Sequence, residues 1–186
     1  MNNKTTLFKN IIFVGGIHGV GKSTICHRLV NALNINYLSA SEVLKWKDIN
    51  TDFKNKLVSD IPDTQDRLLR GLHNVVNHDH HYILDGHFCL FNKDGVATKV
   101  PLKTFSAINP IYLVVIVGDT AKVADGLKNR DEKTYSEKSL AYMQTMELHY
   151  AQEISTELSV PLFVYDTSQS DLSYNKLLSQ LHESLT

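Results

Sequence analysis

Two hydrophobic patterns alternate along the chain: short unbroken apolar runs, and longer segments in which apolar residues return every third or fourth position. Runs at 11–14, 35–38, 82–84, 111–117 and 160–165 predict strands; the one at 111–117 is apolar throughout, as a strand buried on both faces would be. Ile25, Leu29, Ala32 and Leu33 give a first helix one buried face, and Leu68, Leu69, Leu72, Val75 and Val76 stripe a second that opens at Pro62-Asp63-Thr64. Ser39 followed three residues later by Glu42 predicts a capped short helix to about Lys47. Asp119 or Thr120 caps a helix to about Arg130. Ser136 starts a long one through Leu158, with Leu140, Met143, Ile154 and Leu158 among its packing positions, and Asp171 caps a last helix carrying Leu177, Leu178 and Leu181. The alternation is that of an α/β domain.

Between these elements the pattern is weaker. Residues 1–10 are polar and read as a loose lead-in, and residues 48–63 fade into polar positions around Phe53, Leu57 and Val58, read as a mobile flap or helical hairpin. Two short β-like runs, 88–91 and 96–100, flank Asn92-Lys93-Asp94-Gly95 and predict a small hairpin. One or two helical turns are expected over 101–107.

The first strand leads into Gly16-Ile17-His18-Gly19-Val20-Gly21-Lys22-Ser23-Thr24, a G-x-x-x-x-G-K-S sequence with a strand before it and an amphipathic helix after it. Such a loop wraps a triphosphate with backbone that comes closer than a Cβ would permit, so Gly16, Gly19 and Gly21 supply access and turn geometry. Successive N–H groups and the helix N-terminus favour multiple negative charge. Lys22 can follow the β and γ phosphates, and the Ser23 hydroxyl is placed to ligate Mg²⁺. His18 contributes its backbone N–H more than its imidazole.

Further candidates sit beyond this loop. Asp85, ending the strand Tyr82-Ile83-Leu84-Asp85-Gly86, emerges where ligands gather in open α/β sheets and is the candidate carboxylate for Mg²⁺, reached through its water shell. Arg67, Arg70 and Asn74 share a helix face, with Gln65 one turn before Leu69; the two arginines could clamp an acceptor's phosphate or simply face solvent. His78-Asp79-His80-His81 invites a metal reading, but no cysteine or carboxylate pattern accompanies it, and a polar helix terminus fits better. The charged break Asn129-Arg130-Asp131-Glu132-Lys133 between two helices is a natural lid, with Arg130 the candidate cation for the transferring phosphoryl group and pairing with Asp131 or Glu132 the competing role.

The chain has 186 residues, enough for a single domain with a real core. Its 19 basic and 20 acidic residues are interspersed and leave a net charge of −1, so bulk charge gives no signal for nucleic acid. Cys26 and Cys89 lie in apolar surroundings without a spaced framework and read as buried thiols of a reducing compartment. Neither a signal-length apolar segment nor a membrane-length run is present, so a cytoplasmic protein with no membrane partner is expected.

With the P-loop, Asp85-Gly86-His87, the strand at 111–117 and Asn129-Arg130-Asp131 in this order, nearly the whole chain resembles the adenylate kinase-like (nucleoside monophosphate kinase) branch of P-loop kinases. It is especially similar to archaeal-type adenylate kinases and related ATPases, which carry Asp-x-His after the third strand and Arg-Asp at the lid. The resemblance implies a P-loop NTPase fold: a five-stranded parallel sheet in order 2-3-1-4-5, helices on both faces and a short lid near 128–138. It also implies ATP with Mg²⁺ on the P-loop, an acceptor segment near 39–77, and adenine contacts from the loop at 166–170. Lys22, Asp85 and Arg130 would carry catalysis. At Phe88-Cys89-Leu90-Phe91 the sequence departs from the family, many of whose members place an arginine there. The function expected is transfer of the γ-phosphoryl of MgATP to a small acceptor, first of all a nucleoside monophosphate. The alternatives are a kinase for a nucleoside or sugar acid, an ATPase switch acting on a macromolecular partner, and a nucleotide-binding module without turnover.

Overall fold

The computed structural model describes residues 8–44, 61–131, 136–169 and 171–185. Five strands form one parallel sheet: β1 (Ile11–Gly16), β2 (Asn36–Ser39), β3 (Tyr82–Asp85), β6 (Tyr112–Val117) and β7 (Leu162–Asp166). Their order across the sheet is β2-β3-β1-β6-β7, the order 2-3-1-4-5 that the resemblance implied when these five are counted alone. An antiparallel hairpin, β4 (Cys89–Phe91) with β5 (Ala97–Lys99), stands apart from it.

Seven helices complete the described chain: α1 (Lys22–Leu33), α2 (Ala40–Val43), α3 (Ile61–Val75), α4 (Leu102–Ile108), α5 (Thr120–Asp131), α6 (Glu137–Leu158) and α7 (Asp171–Leu185). They flank the sheet in groups: α1 meets α7, while α6 meets α4 and α5 and runs along β1, β6 and β7. Central β1 is buried at all six positions, which explains why its sequence is a continuous apolar run with no solvent-facing alternation. Phe13 of β1 meets Phe88 and Phe105 edge-on, with ring centroids 5.0 and 5.2 Å away. These packed aromatic faces tie β1 to the segment after β3 and to α4. Both cysteines are fully buried, and burial pushes both thiols upward, Cys89 to about 12.

Two caps follow the sequence signals, whereas Ser39, at the N-cap of α2, makes no side-chain cap hydrogen bond. Asp119 Oδ1 accepts the N–H groups of Ala121 and Lys122 at the start of α5, and the Ser136 hydroxyl accepts from Ser139 at the start of α6. Helix α6 is further fixed by Gln144, whose side-chain amide exchanges two 2.9 Å hydrogen bonds with the backbone of Gly118 at the end of β6.

Two expectations change. Residues 8–10 are part of the core framework and not a loose lead-in: Phe8 is buried with its ring 4.8 Å from His73, and Asn10 donates to the carbonyls of Asn77 and His80. The phenyl ring supplies a transfer gain that a polar tail lacks, and the amide satisfies carbonyls of the turn entering β3. The short helix at 40 stops at Val43; most of the flap expected over 48–63 lies outside the described residues, and its last residues, 61–63, begin α3. Among the described residues no helix is long and apolar enough to cross a membrane.

Candidate active site

The glycines of the loop do what their spacing requires. Gly16 has φ 141°, Gly19 77° and Gly21 99°, and Gly21 in the left-handed region is the residue from which α1 springs. The N-terminus of α1 is thereby delivered to the mouth of the loop, where its unpaired N–H groups favour an anion.

Lys22 is buried, and its ammonium group is folded back over the loop, donating to the carbonyls of Gly16 at 2.9 Å and Ile17 at 3.0 Å. Burial lowers its proton affinity; the carboxylates of Asp85 and Glu147 work in the opposite direction. A polyanion entering the loop would supply the missing counter-charge, so the cation is placed before its ligand arrives.

Parallel pairing of β1 with β3 sets Val14 beside Asp85 and brings the aspartate to the loop. The Ser23 hydroxyl and the Tyr37 hydroxyl each donate to Asp85 Oδ2 at 3.0 Å. Tyr37, from β2, was not foreseen from the sequence. Its ring also lies 4.5 Å from that of His27, and burial followed by the charge of Asp85 raises its proton affinity. Two hard oxygen donors, one hydroxyl and one carboxylate, meet beside a phosphate-type loop. That donor set fits Mg²⁺, which keeps several waters and uses few protein ligands. His78-Asp79-His80-His81 forms a polar turn, and among the described residues no group of three or more histidine, cysteine or acidic side chains gathers as a metal site.

Behind the loop lies a residue that sequence reasoning missed. Glu147 of α6 is wholly buried and accepts the backbone N–H groups of Phe88 at 2.9 Å and Cys89 at 3.3 Å. His87 Nδ1 is 3.4 Å from Oε1, the oxygen that also accepts the Cys89 N–H, and the His87 ring stands 4.3 Å from that of His18 in the loop. Burial raises the Glu147 carboxyl to about 7 against the pull of Lys22 and of the N–H groups of Phe88, Cys89 and Gly16. Its signal was present: Leu140, Met143, Glu147, Tyr150, Ala151 and Ile154 form one buried stripe at helical spacing, with a single acid in it.

These groups open onto a cavity of about 580 Å³. Its lining includes Gly19, Gly21, Lys22, Ser23, Thr24 and Asp85 from the loop and the end of β3, and Thr64, Gln65 and Leu68 of α3 with Thr104, Phe105 and Ile108 of α4. A smaller space of about 210 Å³, also bordering the loop, is lined by Gly19, Val20, Asp119, Lys122, Val123, Thr167 and Ser168.

Arg67 and Arg70 do not line the large cavity. Arg67 Nε donates to the Leu44 carbonyl at 2.9 Å, and Arg70 is exposed. The face of α3 that does reach the cavity is the adjoining one, which the apolar stripe shares with Thr64 and Gln65. Arg130 falls in the last turn of α5, but its side chain lies outside the described residues, as do residues 132–135 of the expected lid.

Known proteins share this architecture. A gluconokinase from Sinorhizobium meliloti superposes with a TM-score of 0.62 over 96% of this chain and 97% of its own, at 15% identity. A shikimate kinase from Bacteroides thetaiotaomicron gives 0.55 over 95% and 98%, and an uncharacterized protein from Eubacterium ventriosum 0.51 over 94% and 99%, both at 16% identity. At such identities the likeness establishes the fold, that of P-loop kinases, and leaves the acceptor unspecified. No curated protein sequence matches. In sequence, residues 15–144 match the AAA domain family, a span that takes in the loop, Asp85 and the first turns of α6. The chain belongs to that family.

Proposed function

We propose that this protein is an ATP-dependent phosphotransferase that moves the γ-phosphoryl group of ATP to a small acceptor held between α3 and α4. One observation carries the reading: Lys22, Ser23 and Asp85 line the same cavity as side chains of α3 and α4, which offer a second small molecule its own contacts. The loop amides and Lys22 hold the β and γ phosphates, and the low-dielectric pocket strengthens each of these contacts toward charge that develops in transfer. Ser23 and Asp85 are the residues that would hold Mg²⁺, which when bound spreads and neutralises the phosphate charge. As the acceptor oxygen forms its bond to phosphorus, the bond from the γ phosphorus to the β–γ bridging oxygen breaks and ADP leaves. Adenine fits the smaller space beside Thr167 and Ser168, consistent with the loop at 166–170 taking that role. Arg130, at the end of α5, remains the proposed cation that meets the transferring group as the segment at 128–138 closes.

A nucleoside monophosphate is the acceptor suggested by the adenylate kinase-like motifs. A second reading, a kinase for a nucleoside or a sugar acid, is favoured by the position of Arg67 and Arg70 away from the cavity. The described acceptor wall offers neutral partners, Thr64, Gln65 and Thr104, and the Thr104 hydroxyl is buried without a hydrogen-bond partner. A cytoplasmic setting is part of the proposal.

Radiolabelled ATP with Mg²⁺, offered a panel of monophosphates, nucleosides and hydroxyl acids with a no-acceptor control, tests the reading. Rapid labelling of one acceptor class is the expected result, and Lys22→Ala should lower it by several powers of ten while the thermal melt is kept. Slow phosphate release that no acceptor accelerates would point instead to an ATPase governed by a macromolecular partner. An undiminished rate in the Lys22→Ala protein would sink the assignment of the loop.

A further inference from the structure

We propose that Glu147 is a positioning residue for phosphate binding: its carboxylate clamps the mouth of the P-loop to the turn at 86–89 and thereby sets the shape of the phosphate cradle. The inference rests on the phosphotransferase reading for its consequence, though not for its geometry. Two stretches that are distant in sequence, 87–89 after β3 and the end of β1, meet at this one side chain of α6. Phe88 and Cys89, just past β3, donate their N–H groups to it, and the Gly16 N–H, at the end of β1, favours its charged form. On the side facing the cavity stands His87, whose ring meets His18 of the loop.

The ionisable groups facing the carboxylate are His87 from the turn, Lys22 from the loop and Cys89 from the start of β4. Phe88 makes the arrangement tight. A Cβ added to Gly15 would come within 2.4 Å of its ring, so β1 and the turn are in van der Waals contact immediately behind the loop. A buried carboxylate costs desolvation and is retained in a fold only where hydrogen bonds or function compensate. Here an apolar residue of similar length would fill the space, but it would orphan the N–H groups of Phe88 and Cys89 where the phosphate loop meets the sheet.

The test uses Glu147→Gln, which keeps the size and halves the acceptors, and reads amide hydrogen exchange in the nucleotide-free protein. Exchange at Gly16, Phe88 and Cys89 should accelerate about tenfold or more, with β7 and α7 unchanged, and calorimetry should show MgATP binding weakened about tenfold. Uniform acceleration throughout the chain would mean a merely structural acid and overturn the proposal, as would unchanged exchange at the three amides or a wild-type affinity for MgATP. Should the wild-type protein bind no MgATP, the phosphotransferase reading fails, and the exchange pattern alone decides the clamp. If Glu147→Gln does not fold, wild-type exchange decides. Gly16, Phe88 and Cys89 opening as one unit together with α6 supports the clamp, and independent opening of the three refutes it.

Discussion

Gly16 is held by two constraints at once: its φ is 141°, and a Cβ there would lie 2.5 Å from the carbonyl oxygen of Ile116, a backbone atom of the central strand pair that cannot move aside. Gly16→Ala should therefore cost about 1–3 kcal/mol of backbone strain, read as a lower urea midpoint at unchanged slope, besides any loss of nucleotide binding. Gly16, Lys22 and Ser23 were legible in the sequence because their chemistry is local: a few consecutive residues make the whole phosphate loop. Asp85 was legible because a strand end is a predictable place. Tyr37 and Glu147 were not, since the first meets Asp85 across 48 residues and the second meets Phe88 across 59. That Arg67 and Arg70 lie off the cavity lining was not legible for a related reason. Spacing tells which side chains share a helix face but not what that face looks at, and the Leu44 carbonyl captured Arg67.

Helix α5 begins at a cap whose worth can be measured. Asp119 accepts two backbone N–H groups that nothing else in the helix can satisfy, at 3.0 and 3.3 Å. Asp119→Ala should cost about 1 kcal/mol. In a domain of this size that is a fall of roughly 2–4 °C in the melting midpoint by calorimetry or circular dichroism. Because Asp119 also borders the smaller space beside the loop, the same variant should bind ATP less tightly if adenine sits there. Strand and helix boundaries came close to their sequence signals, the strand at 162–166 and the helix at 137–158 shifting by only a residue or two from the expected ends. Packing decided the rest. The lead-in at 8–10 became structural once Phe8 found His73, a contact that no local pattern encodes.

At the scale of the whole molecule, the contribution of one buried acid to stability should fall as pH rises toward about 7, because the folded chain holds its proton more tightly than the unfolded chain does. Folding raises the Glu147 carboxyl from 4.5 to about 7. The folded state thus binds this proton more tightly than the unfolded chain. Its contribution is fully present below about pH 4.5 and is lost as pH rises through about 7. In urea titrations from about pH 5 to about pH 8, the stability of Glu147→Gln relative to the wild type should climb with pH, at up to about 1.4 kcal/mol per pH unit. A constant difference would contradict the assignment. The burial of Cys26 and Cys89 has a separate use. Neither thiol is reachable or readily ionised in the folded chain, so a thiol-reactive dye should mark them only as fast as the whole fold opens. The unmodified protein then carries its own unfolding clock. A cysteine introduced at exposed Ser41, on the rim of the large cavity, would take a fluorophore cleanly against that silent background and report each arrival of a ligand.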